Sequence, residues 1–454
     1  MHLRDLSGKN ANICILGFGK EGRATLRALE KHAPDAAVSL ADSAPSFSHP
    51  EYPVVTGERY LEEIDSHHFS FIIKSPGIPP HPLFDRWRKE KRLTSGTQIF
   101  LDSIAGTGTT VIGVTGSKGK STTASLIFEL LTAAGKNASL VGNIGDPAIA
   151  HVEEAGEGVT FVMEMSSYQL MDLDRSPHIA VVTSFFPEHL DYHGNLEAYL
   201  EAKKHIARFQ NEEDLVIYNG DAEGARDIAH EGKGRKVSFG PHDSPVGLGD
   251  TKLLGRHNLG NIAAAWKVAQ ELGIPREVCV EVFRSFRGLP HRLQDLGVFH
   301  GIRWVDDAIS TTPESAIAAL DALGGCVATI ILGGQDRGND FAGLGNRIAR
   351  SSVRHVILFP GSGPRIRKAI EESKANVAFH DAGSMEETVR IAQASTPDGT
   401  ICLLSTASPS YGMFKNFEEK GEQFKQCIES GTARITHELQ RPHLHLRGTE
   451  HAPM

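Results

Sequence analysis

Val111-Ile-Gly-Val-Thr-Gly-Ser-Lys-Gly-Lys-Ser-Thr-Thr123 is the stretch on which the reading of the fold turns. The apolar run Thr109–Val114 reads as a strand, the glycines as a tight turn, and the residues beyond them as a helix reaching to about Gly135. Backbone N–H groups in such a turn, with a helix N-terminus behind them, cradle an anion. Gly116, Ser117, Lys118 and Gly119 make the turn. Lys120 can reach the β- and γ-phosphates of a nucleotide, and the hydroxyl of Ser121 or Thr122 can ligate Mg²⁺. The strict GxxxxGKS/T pattern is missed by one place, because Val114 stands where its first glycine belongs. A glycine- and hydroxyl-rich turn without a nucleotide is the plainer alternative, and the flanking strand and helix argue against it.

Outward from this loop, strands and helices alternate. Ala11–Leu16 and Phe69–Ile73 read as strands around a helix at Arg23–His32. Beyond Pro290, strands at Ile302–Val305, Val327–Leu332, His355–Phe359 and Thr400–Leu404 alternate with helices starting near Pro313, Arg365, Met385 and Phe414. The expectation is an α/β protein of three domains: a Rossmann-like N-terminal domain (1–108), a central P-loop ATPase domain (109–289) and a C-terminal Rossmann-like α/β domain (290–440), then a flexible tail (441–454). Such alternation implies parallel sheets with sites at the strands' carboxyl ends. The net charge of −9 argues against a nucleic-acid surface. Five scattered cysteines without CxxC spacing read as reduced thiols. With no apolar leader and no run of about 18 apolar residues, a cytoplasmic protein without a membrane segment is expected.

Three further segments carry chemistry. Phe161-Val-Met-Glu164 puts a carboxylate at the end of an apolar strand, where it must be paired, capped or metal-bound. His189 falls just past the strand at Val181, as a structural histidine or a ligand. Lys203 shares an apolar helical stripe with Leu196, Tyr199, Leu200 and Ile206, whereas Lys204 points away. A lysine there either snorkels or is held neutral. Nearer the N-terminus, Gly17-Phe-Gly-Lys-Glu-Gly22 with Asp42 matches the dinucleotide fingerprint, which any pyrophosphate could use.

The variant Gly113-Val-Thr-Gly-Ser-Lys-Gly-Lys-Ser121 resembles the Mur ligase and folylpolyglutamate synthetase superfamily, and ordered motifs extend the likeness over about residues 10–430. The resemblance implies ATP and two Mg²⁺ ions, with Ser121, Glu164, His189 and a carbamylated Lys203 as metal ligands and Lys120 neutralising phosphate charge. It assigns Asn258 and Asn261, read as preceding a helix at Ile262–Leu272, to adenine, Arg292 to the ATP phosphates and Asp307 to the ribose. Gly17, Phe18, Gly19, Asp42, Ser75 and Gly77 are expected to hold a UDP moiety. Asn143, Ser166, Gln169, Thr311, Arg337, Ser410 and Tyr411 complete the substrate contacts. The implied activity joins glutamate, by default the D-enantiomer, to UDP-N-acetylmuramoyl-L-alanine through an acyl phosphate, in a monomer.

Departures cluster in the amino-acid pocket. Ile309 stands where the glutamate-adding branch carries a lysine, and Arg337 replaces a second one. Addition of L-glutamate is therefore a live alternative. A folylpolyglutamate synthetase would not need the GxGxxG segment, and a nicotinamide oxidoreductase would explain only that segment.

Overall fold

The computed structural model describes residues 1–7 and 11–439, so the expected tail at 441–454 lies outside the described residues. Two compact units form: residues 1–251 with 256–286, and residues 252–255 with 287 onward. The first two expected segments thus share one unit, built on two sheets.

In the first sheet the spatial order of strands is Val54–Thr56, Ala37–Asp42, Asn12–Leu16, Phe71–Lys74 and Leu93–Ser95, all parallel. The order reverses beside Asn12–Leu16, so the Gly17 and Ser75 turns open side by side at a topological switch point. Its partner sheet runs Arg235–Phe239, Leu215–Asn219, Ile179–Val182, Thr110–Thr115, Thr160–Glu164 and Ala138–Gly142, again parallel. Here the phosphate-loop strand Thr110–Thr115 is flanked by the strand ending at Glu164 and the strand leading to His189. These strands are apolar on both faces because helices cover both. The helix Gly96–Ser103 contributes Phe100, which stands edge-on to Phe161 at 5.1 Å.

The second unit orders its strands Gln294–Phe299, Ile302–Asp306, Ile401–Leu404, Val327–Gly334, His355–Gly361 and Ala378–Asp381. Only the pair Gln294–Phe299 and Ile302–Asp306 is antiparallel. That edge strand, with half-buried residues and Gly297 at a bulge, lacks the apolar run that marks its neighbours. Among the described residues no helix is long and apolar enough to cross a membrane.

Candidate active site

The phosphate loop leaves its strand at Gly116, whose φ is +151°; a Cβ there would stand 2.1 Å from Thr183 Oγ1. Gly119, at φ +87°, caps the helix Lys120–Ala133 and leaves equally little room, with Asn261 Oδ1 at 2.3 Å. Only glycine meets both demands. The neighbouring strand's exit holds the loop: Ser117 N donates to Ser184 O (3.0 Å), Lys118 N to Ser184 Oγ (2.9 Å), and Thr183 Oγ1 to Lys118 O (2.7 Å). Lys118 pairs with Glu188 at 2.5 Å. Lys120 Nζ donates to Gly116 O and Ser117 O, both at 3.0 Å, so the ammonium lies over its own turn. Ser121 and Thr122 occupy the helix's first turn, whose amides suit an anion.

The asparagines expected ahead of a helix at Ile262 instead stand within its first five residues, because the helix spans His257–Glu271. Asn261 Nδ2 donates to Asn258 Oδ1 (2.8 Å), and Thr123 Oγ1 lies 3.4 Å from Asn261 Oδ1. The pair therefore buttresses the phosphate loop.

Glu164 is buried at the end of its strand. Asn143 Nδ2 donates to its Oε1 at 2.7 Å, while Oε2 is buried with no hydrogen-bond partner. Lys203 is 1% exposed, donates to Gly116 O (3.0 Å) and lies 4.9 Å from the Tyr199 ring centroid. Burial, and then the Lys120 charge, hold its pKa well below the usual lysine range, so the neutral amine is favoured. Lys204 instead pairs outward with Glu201, and Leu196, expected on the apolar stripe, is 41% exposed. His189 adopts a left-handed φ of +55° at the N-cap of the short helix Leu190–His193. Burial depresses its pKa, opposed by Glu188 and reinforced by Lys120 and Lys203, which keeps the ring neutral for ligation.

Among the described residues, no three of His, Cys, Asp and Glu converge as a ready metal cage. The orphaned Glu164 oxygen, the neutral His189 and the Ser121 hydroxyl nevertheless fit a hard divalent cation if Lys203 supplies a further oxygen.

At the switch point of the first sheet, Ser75 Oγ donates to Gly17 O (2.7 Å), and Asp42 Oδ2 accepts from Phe18 N (3.2 Å). Gly17 takes φ +89°, and a Cβ on Gly22 would stand 2.2 Å from Gly17 O. Gly19 caps the helix Lys20–His32, and a Cβ at Gly77 would meet nothing within 4 Å. Ser166 and Gln169 form a capping box, and Gln169 Nε2 reaches Glu21 at 3.2 Å.

In the second unit, Asp307 is buried, its oxygens accepting from Leu293 N (3.1 Å) and Ser405 Oγ (2.7 Å); burial lifts its pKa to about 6. Arg292 is near enough for its charge to oppose that rise, and its Nε is buried without a partner. Thr311 is half-buried. Arg337 lies 5.9 Å from the ring of the exposed Tyr411, and the buried Ser410 hydroxyl has no partner.

Three groups escaped the sequence reading. Lys420, 1% exposed, donates to Thr406 Oγ1 at 2.6 Å; burial lowers its pKa to about 8 against the pull of Asp306 and Asp307. Lys74 and Asp172 form a buried pair at 2.8 Å. Tyr192 Oη lies 2.7 Å from both Pro76 O and Ile78 O. The FEEK stretch around Lys420 reads as a solvated helix face, and the other two depend on partners distant in sequence.

Comparison with known proteins narrows the reading. The model for the Mur ligase middle domain matches residues 114–248, and that for the Mur ligase, glutamate ligase domain matches residues 291–407. UDP-N-acetylmuramoyl-L-alanine--L-glutamate ligase of Salinispora tropica is 36% identical, covering 94% of this chain and 99% of the relative. UDP-N-acetylmuramoylalanine--D-glutamate ligase of Symbiobacterium thermophilum is 35% identical, with coverages of 87% and 91%. Among solved structures, the MurF ligase from Thermotoga maritima in complex with ADP superposes with a TM-score of 0.58 at 18% identity, covering 87% of this chain and 96% of that one.

Proposed function

The chain belongs to the Mur ligase family, and from that premise we propose that it joins glutamate to UDP-N-acetylmuramoyl-L-alanine at the expense of ATP, in peptidoglycan precursor synthesis. The observation that carries this reading is the meeting, at the carboxyl ends of three adjacent strands, of the phosphate loop, Glu164 with its unpartnered oxygen, and the segment leading to His189.

In this reading the phosphate loop and Lys120 hold the ATP phosphates while the γ-phosphoryl group passes to the alanyl carboxylate. The glutamate amine then attacks the acyl phosphate, forming the amide, releasing inorganic phosphate and losing a proton. Lys203, held neutral, adds CO₂ to give a carbamate and a proton, which converts an amine into an anionic oxygen ligand. Ser121, Glu164, His189 and the carbamate would hold Mg²⁺, which when bound neutralises charge on the transferring phosphoryl group. The Gly17 and Ser75 turns would take the UDP diphosphate through backbone N–H groups. Asn258 and Asn261 brace the loop.

The family default is D-glutamate. Ile309 in place of a lysine supports the L-enantiomer as the alternative, and the identities to relatives named for L- and D-glutamate, 36% and 35%, are nearly equal. Product formed from each enantiomer, followed by chiral analysis of the glutamate recovered on hydrolysis, decides between them. Turnover with D-glutamate alone rejects the L-reading, and no turnover with either rejects the function.

A further inference from the structure

Tyr192 occupies a place that the proposed chemistry does not use. It stands on the short helix Leu190–His193, three residues beyond His189. Its hydroxyl lies between the carbonyls of Pro76 and Ile78, 2.7 Å from each. Those carbonyls belong to the turn whose Ser75 hydroxyl closes on Gly17. On the other side, the Tyr192 ring lies 4.0 Å from that of Tyr168, which stands 5.1 Å from the His189 ring. His193, on the same helix, is hydrogen-bonded to Ser167 Oγ at 2.9 Å. Lys74, immediately before the turn, pairs with Asp172 just past the helix Ser167–Leu170, which carries Tyr168.

The turn and the His189 helix are thus joined by side chains that are packed on both sides. A phenol has one proton, so the hydroxyl can donate to only one of its two carbonyls at a time. A diphosphate drawn onto the turn would displace the carbonyls that hold the hydroxyl, and with them the ring packed on Tyr168, the neighbour of His189. Packed elements of this kind respond by switching between arrangements.

We propose that Tyr192 is a positioning residue that couples occupancy of the 75–78 turn by a diphosphate-bearing substrate to cation binding at His189, each tightening the other. This rests on the functional reading above. Coupling between binding sites is reciprocal, so it can be read from either ligand.

The test uses the full chain with ADP present. The affinity for UDP-N-acetylmuramoyl-L-alanine is measured calorimetrically with and without saturating Mg²⁺, and the affinity for Mg²⁺ with and without that substrate. Mg²⁺ should tighten substrate binding by about fivefold or more in the wild type, with the same factor in the reverse direction. Tyr192→Phe keeps the ring; its Mg²⁺-free substrate affinity should stay within about twofold of wild type while the coupling factor falls to about one. Tyr168→Leu, which spares the Tyr192 hydroxyl but removes the ring–ring contact, should lose the factor as well and gives the same readout without taking the donor from the turn's carbonyls. Wild-type coupling in either variant, or none in the wild type, overturns the proposal. A wild type that does not bind UDP-N-acetylmuramoyl-L-alanine overturns the functional reading itself.

Discussion

Lys203 and Lys420 are each 1% exposed, one in each compact unit, yet their surroundings make them different chemical objects. At Lys203 burial, and then the Lys120 charge, lower the pKa against the opposing pull of Glu188 and Glu164, so the neutral, nucleophilic amine is favoured. Lys420 donates to Thr406 Oγ1 and has Asp306 and Asp307 nearby, which hold its pKa at about 8 despite burial. Burial alone therefore does not tell a reactive lysine from a tether; the balance of neighbouring charge does, since Lys120 opposes two glutamates at Lys203 while two aspartates act together at Lys420. Lys420 supports the segment from Ser405 to Ser410, because Thr406 Oγ1 in turn lies 3.0 Å from Ser408 O and 3.3 Å from Ser310 O.

The strongest challenge to this contrast is removal of the reactive lysine. Lys203→Ala should lower kcat/KM by about 10³-fold while leaving the protein folded, and short carboxylates should restore part of it. Full activity without rescue would remove the carbamate. Next, Asn143→Ala, which takes away the amide that donates to Glu164, should weaken Mg²⁺ binding by about 10- to 100-fold. Isothermal titration with Mg²⁺ in the presence of ADP checks it.

Stability should separate the two lysines in the opposite sense. Lys420→Met should cost about 1–3 kcal/mol in denaturant unfolding, since Thr406 loses its donor and two aspartates lose a cation. Lys203→Met should be neutral or slightly stabilising, because a buried amine gives way to an apolar chain of similar volume. The smallest effect is on pH dependence. Lys420 releases its proton near pH 8 when folded and near 10.5 when unfolded, so the unfolded state holds more protons between those values and stability rises with pH across that window. The difference between wild type and Lys420→Met should change by at most about 3 kcal/mol there, and a flat difference would place Lys420 in a less costly environment.

The contrast also marks what could be read from residues alone. The phosphate loop was legible because its strand, turn and helix are contiguous, and the glycines that have no room for a Cβ are those the pattern names. Glu164, His189 and Lys203 each had a plain structural alternative. The resemblance singled them out, and the structure adds an orphaned oxygen on Glu164, a left-handed cap at His189 and burial that favours the neutral amine of Lys203. Lys74 was invisible because its partner, Asp172, is 98 residues away, and Tyr192 because its carbonyls are 114 and 116 residues away. The first five residues of the His257–Glu271 helix were missed because Gly260 and two asparagines read as loop, whereas packing against the phosphate loop overrides that preference.

The central claim, ligation through an acyl phosphate at this loop, is tested most directly by isotope transfer. UDP-N-acetylmuramoyl-L-alanine labelled with ¹⁸O in its alanyl carboxylate is turned over with ATP and glutamate, and the released phosphate is analysed by mass spectrometry. One labelled oxygen in each phosphate is the predicted result; amide product accompanied by unlabelled phosphate would contradict the account.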